Sequence, residues 1–223
     1  MNPVGMDASP EPVSLRATGL MHRYGARVAL QPLDFEVASP GVVAVTGPNG
    51  SGKSTLLRIL SGLLRPTKGD LAFSVSGAGI KPLERRHHVG LATPELSFYE
   101  EFTARENLAF IAETRALSQA AKAVQDALDV VQLEDRADDR VSDFSSGMKQ
   151  RLRLASAILH RPGLLLLDEP GGHLDAEGRA VVERIVHQES TRALVLLATN
   201  DPEEMRLATK RIELSGRGLG GPA

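Results

Sequence analysis

Three features of this chain predict an α/β fold, with a mostly parallel sheet and flanking helices. Three short runs are wholly apolar, residues 42–45, 164–167 and 194–198, the pattern of strands buried on both faces. Segments with helical spacing separate them. Each run ends in glycine-rich or polar residues, which belong at the carboxyl edge of a parallel sheet, where open α/β sheets bind ligands.

Bulk numbers narrow the field. A chain of 223 residues, 42% hydrophobic, can bury the core of one good-sized domain with a small appended lobe. The net charge of −2 gives no general electrostatic case for nucleic acid. With no cysteine there is no disulfide, thiolate metal site or thiol nucleophile, a usage that suits a reducing compartment. No stretch approaches the ~20 apolar residues of a membrane span. Residues 1–12 and 216–223 read as disordered tails around one domain, 13–215.

In chain order, residues 13–20 and 28–37 read as strands around a turn at Tyr24 and Gly25, an antiparallel flank to the main sheet. Strand 42–45 enters the loop GPNGSGKST, and Leu56, Leu57, Ile59 and Leu60 then follow at helical spacing. Residues 65–70 read as a turn, and 71–75 and 89–92 as strands. Thr103-Ala104-Arg105-Glu106 is a capping box that starts a helix running to about Arg115. Ala120, Ala123, Val124, Ala127, Leu128 and Val131 mark a second amphipathic helix. Residues 94–143 thus form a helical subdomain inserted in the β/α alternation. Another helix should open after Ser145 and run to about Leu159. His87 and His88 would face opposite ways on a strand. Lys81, Arg85 and Arg86 read as a solvated basic edge, and Arg151 and Arg153 as the exposed face of their helix.

Gly47, Gly52, Lys53 and Ser54 satisfy G-x-x-x-x-G-K-[ST] between a strand and a helix. Glycines let successive backbone N–H groups turn toward an anion, and the helix N-terminus adds partial positive charge. This defines a P-loop NTPase core. Gly47, Pro48, Asn49, Gly50, Ser51, Gly52, Lys53, Ser54 and Thr55 are its candidate nucleotide loop, with Lys53 on the terminal phosphates and Ser54 on Mg²⁺. Asp168, ending an apolar strand, is placed to hold the metal beside Ser54. Glu169 is the candidate base that orients the attacking water. Ser145, Ser146 and Gly147 make a second anion-binding helix start. One ATP cannot occupy two distant phosphate sites in one domain, so a second copy would bring this one to the first copy's nucleotide; a plain helix cap is the alternative.

The motifs GPNGSGKST, FSSGMKQRL, LLLLDEP and HLD, in this order and spacing, resemble the nucleotide-binding subunit of an ABC transporter over nearly the whole chain. The resemblance implies ATP and Mg²⁺ as ligands, a homodimer or paired ATPase subunit, and an integral membrane permease docked on the helical insertion. It also implies a place on the cytoplasmic face of the membrane. Tyr24 falls where the family stacks adenine, and Asp175 where it bridges subunits. The stretches PELSFYEEFTARENL and FSSGMKQRL most resemble the haem-exporter type that serves cytochrome c maturation. Two departures stand out. Where the family has a metal-contacting glutamine, this chain has Pro94, which leaves the metal role vacant or passes it to Glu95. Where the family has a histidine on the γ-phosphate, it has Asn200, which donates a hydrogen bond but carries no charge. ATP binding with slow turnover is the expectation. A soluble ABC-type ATPase acting on nucleic acid or ribosomes, or a weakly hydrolysing nucleotide-gated module, are the competing functions.

Overall fold

The structure is a computed structural model that describes residues 11–215. The terminal segments 1–10 and 216–223 lie outside the described residues. Strands β1 (Val13–Tyr24) and β2 (Arg27–Ala38) form the expected antiparallel hairpin. Strand β4 (Lys68–Val75) pairs with the other edge of β1, and the short β5 (Ala78–Gly79) extends that sheet in the order β2-β1-β4-β5. Strands β3 (Gly41–Thr46), β6 (Val89–Ala92), β7 (Leu164–Asp168), β8 (Leu194–Ala198) and β9 (Lys210–Glu213) make a second sheet in the order β6-β7-β8-β3-β9. Every pair in this sheet is parallel.

Alternation along β7 divides the interior. Leu164 and Leu166 face a core shared with the antiparallel sheet and with helix α1 (Lys53–Leu60). Leu165 and Leu167 face a second core, built with α2 (Ala104–Thr114), α3 (Ala120–Val130), α4 (Ser146–Ile158) and α5 (Ala176–Ser190). All four leucines are wholly buried. Such a strand has no solvent face, so its sequence carries no polar alternation.

The insertion between β6 and α4 carries α2, α3 and one isolated antiparallel bridge, Thr103 with Arg140. The capping box forms: Thr103 Oγ1 accepts the Glu106 N–H at 3.1 Å, and Glu106 Oε2 accepts the Thr103 N–H at 2.8 Å. Buried Asn107 accepts the Tyr99 N–H at 2.9 Å and donates to Tyr99 O at 3.0 Å. The loop ahead of α2 is therefore pinned to it.

Several expectations are corrected. Lys68, Gly69 and Asp70 belong to β4, where they pair with β1, rather than to a turn. His87 ends a single 3₁₀ turn and His88 caps it, so the strand argument about them does not apply. Arg85 is 5% exposed. It donates to Ile59 O at 3.1 Å and lies 5.4 Å from the centre of the Phe73 ring, an anchor rather than a solvated edge. Arg151 and Arg153 are half-buried straps: Arg151 donates to Gln132 O at 2.9 Å and Arg153 to Leu96 O at 2.8 Å.

His160, just past α4, is pushed down to about 3 by burial, with the cations Arg115 and Arg192 adding to the effect. In the unfolded chain it titrates near 6.5. Between these values the unfolded state binds the extra proton, so stability is full above about pH 6.5 and falls with acidification. From pH 7 to pH 5 the loss expected from this group is about 2 kcal/mol. Denaturation midpoints at the two pH values should show it, and His160→Gln should remove most of the difference.

Candidate functional site

The parallel sheet delivers three chain segments to one edge. Strand β3 ends at Thr46 and opens the phosphate loop, β7 ends at Asp168, and β8 ends at Ala198 before Thr199 and Asn200. Residues Val45, Ala198 and Asp168 stand in register across β3, β8 and β7. Proximity of the loop, Asp168, Glu169 and Asn200 therefore follows from strand pairing.

Within the loop, Gly52 has φ +106°, and a Cβ there would sit 2.4 Å from Ala29 O. Both the left-handed backbone and the close approach of β2 demand glycine. Lys53 opens α1 and is 6% exposed; its Nζ donates to Gly47 O at 2.9 Å. Ser51 is 4% exposed and its Oγ has no partner. A buried cation resting on a carbonyl, beside an unpartnered hydroxyl, is a cradle for an anion.

Asp168 is 3% exposed. Burial pushes its carboxyl above the usual range, and hydrogen bonding from the Ser54 hydroxyl works the other way. Glu169 and Glu95 add like charge that raises it further, while Lys53 lowers it. Such a site gains from a bound cation. Among the described residues no cluster of three carboxylate or histidine groups gathers. One hydroxyl and one carboxylate, completed by phosphate oxygens and water, match the way Mg²⁺ binds.

Glu169 is exposed, with φ +48°. Its N–H donates to Ala198 O at 2.9 Å and its carbonyl accepts from Gly172 N at 3.0 Å. The backbone is clamped while the carboxylate projects from the sheet edge. Asn200 Nδ2 donates to Asn49 Oδ1 of the loop at 3.3 Å. Glu95, in contrast, is paired with Arg58 of α1 at 2.9 Å, so its candidate metal role requires release from that ion pair.

The second anion site is built elsewhere. Ser145 Oγ caps α4 by accepting the Met148 N–H at 3.2 Å. Ser145, Ser146 and Gly147 line a cleft with His173, Leu174 and Asp175, and no residue of the phosphate loop lines it. Asp175 caps α5, accepting the Gly178 N–H at 2.9 Å. Tyr24 is 46% exposed at the hairpin tip, edge-on to His22 with ring centres 4.6 Å apart. One connecting side chain, Gln150, was not singled out from sequence. Gln150 Nε2 donates to Pro170 O at 3.1 Å, and Arg153 donates to Gln150 Oε1 at 3.1 Å.

Fold and site together define a phosphate-loop nucleotide-binding protein. The profile of the ABC transporter family matches residues 30–172, and the chain belongs to that family. It is 34% identical to the Nod factor export ATP-binding protein I of Rhizobium leguminosarum bv. viciae, over 92% of this chain and 67% of the relative. It is 29% identical to the linearmycin resistance ATP-binding protein LnrL of Bacillus subtilis, again over 92% and 67%. The chain spans between 56% and 67% of the length of curated relatives that it matches. A solved ATP-binding subunit of an ABC transporter superposes with a TM-score of 0.77 at 30% identity, covering 90% of this chain and 85% of that one. A dimeric ATP-binding cassette bound to ADP and phosphate gives 0.79 at 22% identity, over 90% and 94%; at that identity the likeness speaks for the fold.

Proposed function

We propose that this chain binds and hydrolyses ATP as the motor subunit of a membrane transporter, and that two ATPase subunits close on the nucleotides to do so. The observation that carries the reading is the convergence of Lys53, Ser54, Asp168 and Glu169 on one sheet edge, with Ser145–Gly147 left on a separate cleft. A second subunit supplies that cleft to the nucleotide of the first, and Asp175 stands at the seam between them. Tyr24 stacks on the base. Loop amides and Lys53 hold the phosphates. Ser54 and Asp168 hold Mg²⁺, which offsets phosphate charge when bound. Glu169 orients the attacking water, and Asn200 donates to the γ-phosphate.

The membrane partner docks on the helical insertion. Tyr99, Phe102 and Phe110 support this: they are 56%, 46% and 48% exposed and cluster with ring centres 5.5 and 5.8 Å apart. No helix among the described residues is long and apolar enough to cross a membrane; in this reading a separate permease carries the span, and the chain works from the cytoplasmic face. A haem-exporter role rests on two sequence stretches alone, while relatives are named for linearmycin resistance, sulfate import, bacitracin transport and Nod factor export.

A nucleotide-gated module that barely hydrolyses is the second reading. It is favoured by Pro94, by Asn200 tied to Asn49, and by Glu95 tied to Arg58. Phosphate release with Mg²⁺-ATP decides between them. Wild type should exceed a Glu169→Gln control; equal rates, with ATP still bound, select the gated module.

A further inference from the structure

The geometry points to Glu204 as a positioning residue for hydrolysis: its buried carboxylate holds the turn after Glu169 in place without touching nucleotide. This rests on the ATPase reading above. Glu204 lies in α6 (Pro202–Met205), four residues past Asn200, and is 8% exposed. Its Oε1 accepts the Gly171 N–H at 2.7 Å. Its Oε2 is buried without a hydrogen-bond partner. A carboxylate in this setting costs more than an apolar side chain would, unless its one strong contact matters.

That contact is at the pivot of the site. Gly171 stands between the Glu169 backbone, which accepts from Gly172 N at 3.0 Å, and the 173–175 segment, whose Leu174 N–H donates to Gly171 O at 3.2 Å. A Cβ on Gly171 would come 2.5 Å from Glu204 Oε1, so glycine is what admits the carboxylate. Asp201 caps the short helix that carries Glu204, and its N–H donates to the Thr199 hydroxyl at 2.9 Å, which holds α6 against the end of β8. One side chain thereby ties two loops together: residues 169–175, which bear both Glu169 and Asp175, and the segment after β8, which bears Asn200. Small misplacements of reacting groups cost up to about 10²-fold in rate.

The test compares wild type with Glu204→Gln, Glu204→Ala and Gly171→Ala by steady-state phosphate release, affinity for a fluorescent ATP analogue, and hydrogen–deuterium exchange. Glu204→Ala and Gly171→Ala should lower kcat about tenfold or more, with KM and analogue affinity within about threefold of wild type. Glu204→Gln, whose amide oxygen still accepts from Gly171, should restore most of kcat. Amides of residues 171–175 should exchange about tenfold faster in Glu204→Ala than in Glu204→Gln. Unchanged exchange at 171–175 overturns the clamp, whatever the turnover. So does an unchanged kcat, or a parallel loss of kcat and nucleotide affinity in both alanine variants. Absence of turnover in wild type, with the exchange difference present, sinks the ATPase reading and leaves the clamp standing.

Discussion

Glu169→Gln is expected to reduce phosphate release to about a hundredth of the wild-type rate or less, the usual weight of a general base, while ATP still binds. The argument begins with β7. Four buried leucines carry the strand to Asp168, the last residue in register with β8. Glu169 then turns out in a left-handed conformation, φ +48°, which costs about 1–3 kcal/mol and persists only where neighbours impose it. Here they are Ala198 O and Gly172 N, both bonded to its backbone. Glutamine keeps the shape and the hydrogen-bonding reach, so the turn survives, but it cannot take a proton. With the chemical step removed and the phosphate cradle intact, ATP-closed pairs should accumulate. Size-exclusion chromatography in Mg²⁺-ATP should show a dimer peak that wild type lacks or shows weakly. Comparable phosphate release in both proteins would remove Glu169 from the base role.

Lys53→Ala should weaken nucleotide affinity by roughly 2–5 kcal/mol, which is about 30-fold or more in Kd. The ammonium is buried and rests on Gly47 O at 2.9 Å, so the loop keeps a cation desolvated with a backbone carbonyl as its contact. A polyphosphate arriving there meets a charge that has already lost its water. Titration calorimetry with Mg²⁺-ATP measures the loss directly. Equal affinities for the two proteins would mean that the loop amides alone hold the ligand. The fold itself should tolerate the change, because Leu56, Leu57, Ile59 and Leu60 anchor α1.

What could be read from the sequence, and what could not, follows from where each signal resides. Strands β3, β7 and β8 announced themselves because strands buried on both faces are uninterrupted apolar runs. The phosphate loop was legible because glycine is demanded at Gly52 by backbone angle and by the nearness of Ala29 O. Strand β9 passed unnoticed: in Lys210-Arg211-Ile212-Glu213 only Ile212 is buried, and the strand pairs with β3 at the sheet edge. Helix α5 has its signal in Val181, Val182, Ile185 and Val186, which recur at helical spacing after the Asp175 cap. Charged residues with buried ends misled most. Arg85 and Arg153, read as solvated, each satisfy backbone groups far away in sequence, and Glu204, which no sequence signal marks, does the same. The metal role of Glu95 came from the family resemblance, as the neighbour of Pro94, and the sequence held no sign of the ion pair that Glu95 makes with Arg58.

Arg153 joins Leu96 O to Gln150, and Gln150 grips Pro170 O, the neighbour of Glu169. A strap of two side chains thus links residue 96, on the insertion side, to the turn that bears Glu169. Both side chains stand on α4, so any shift of that helix is shared between the insertion and the turn at residues 169–171.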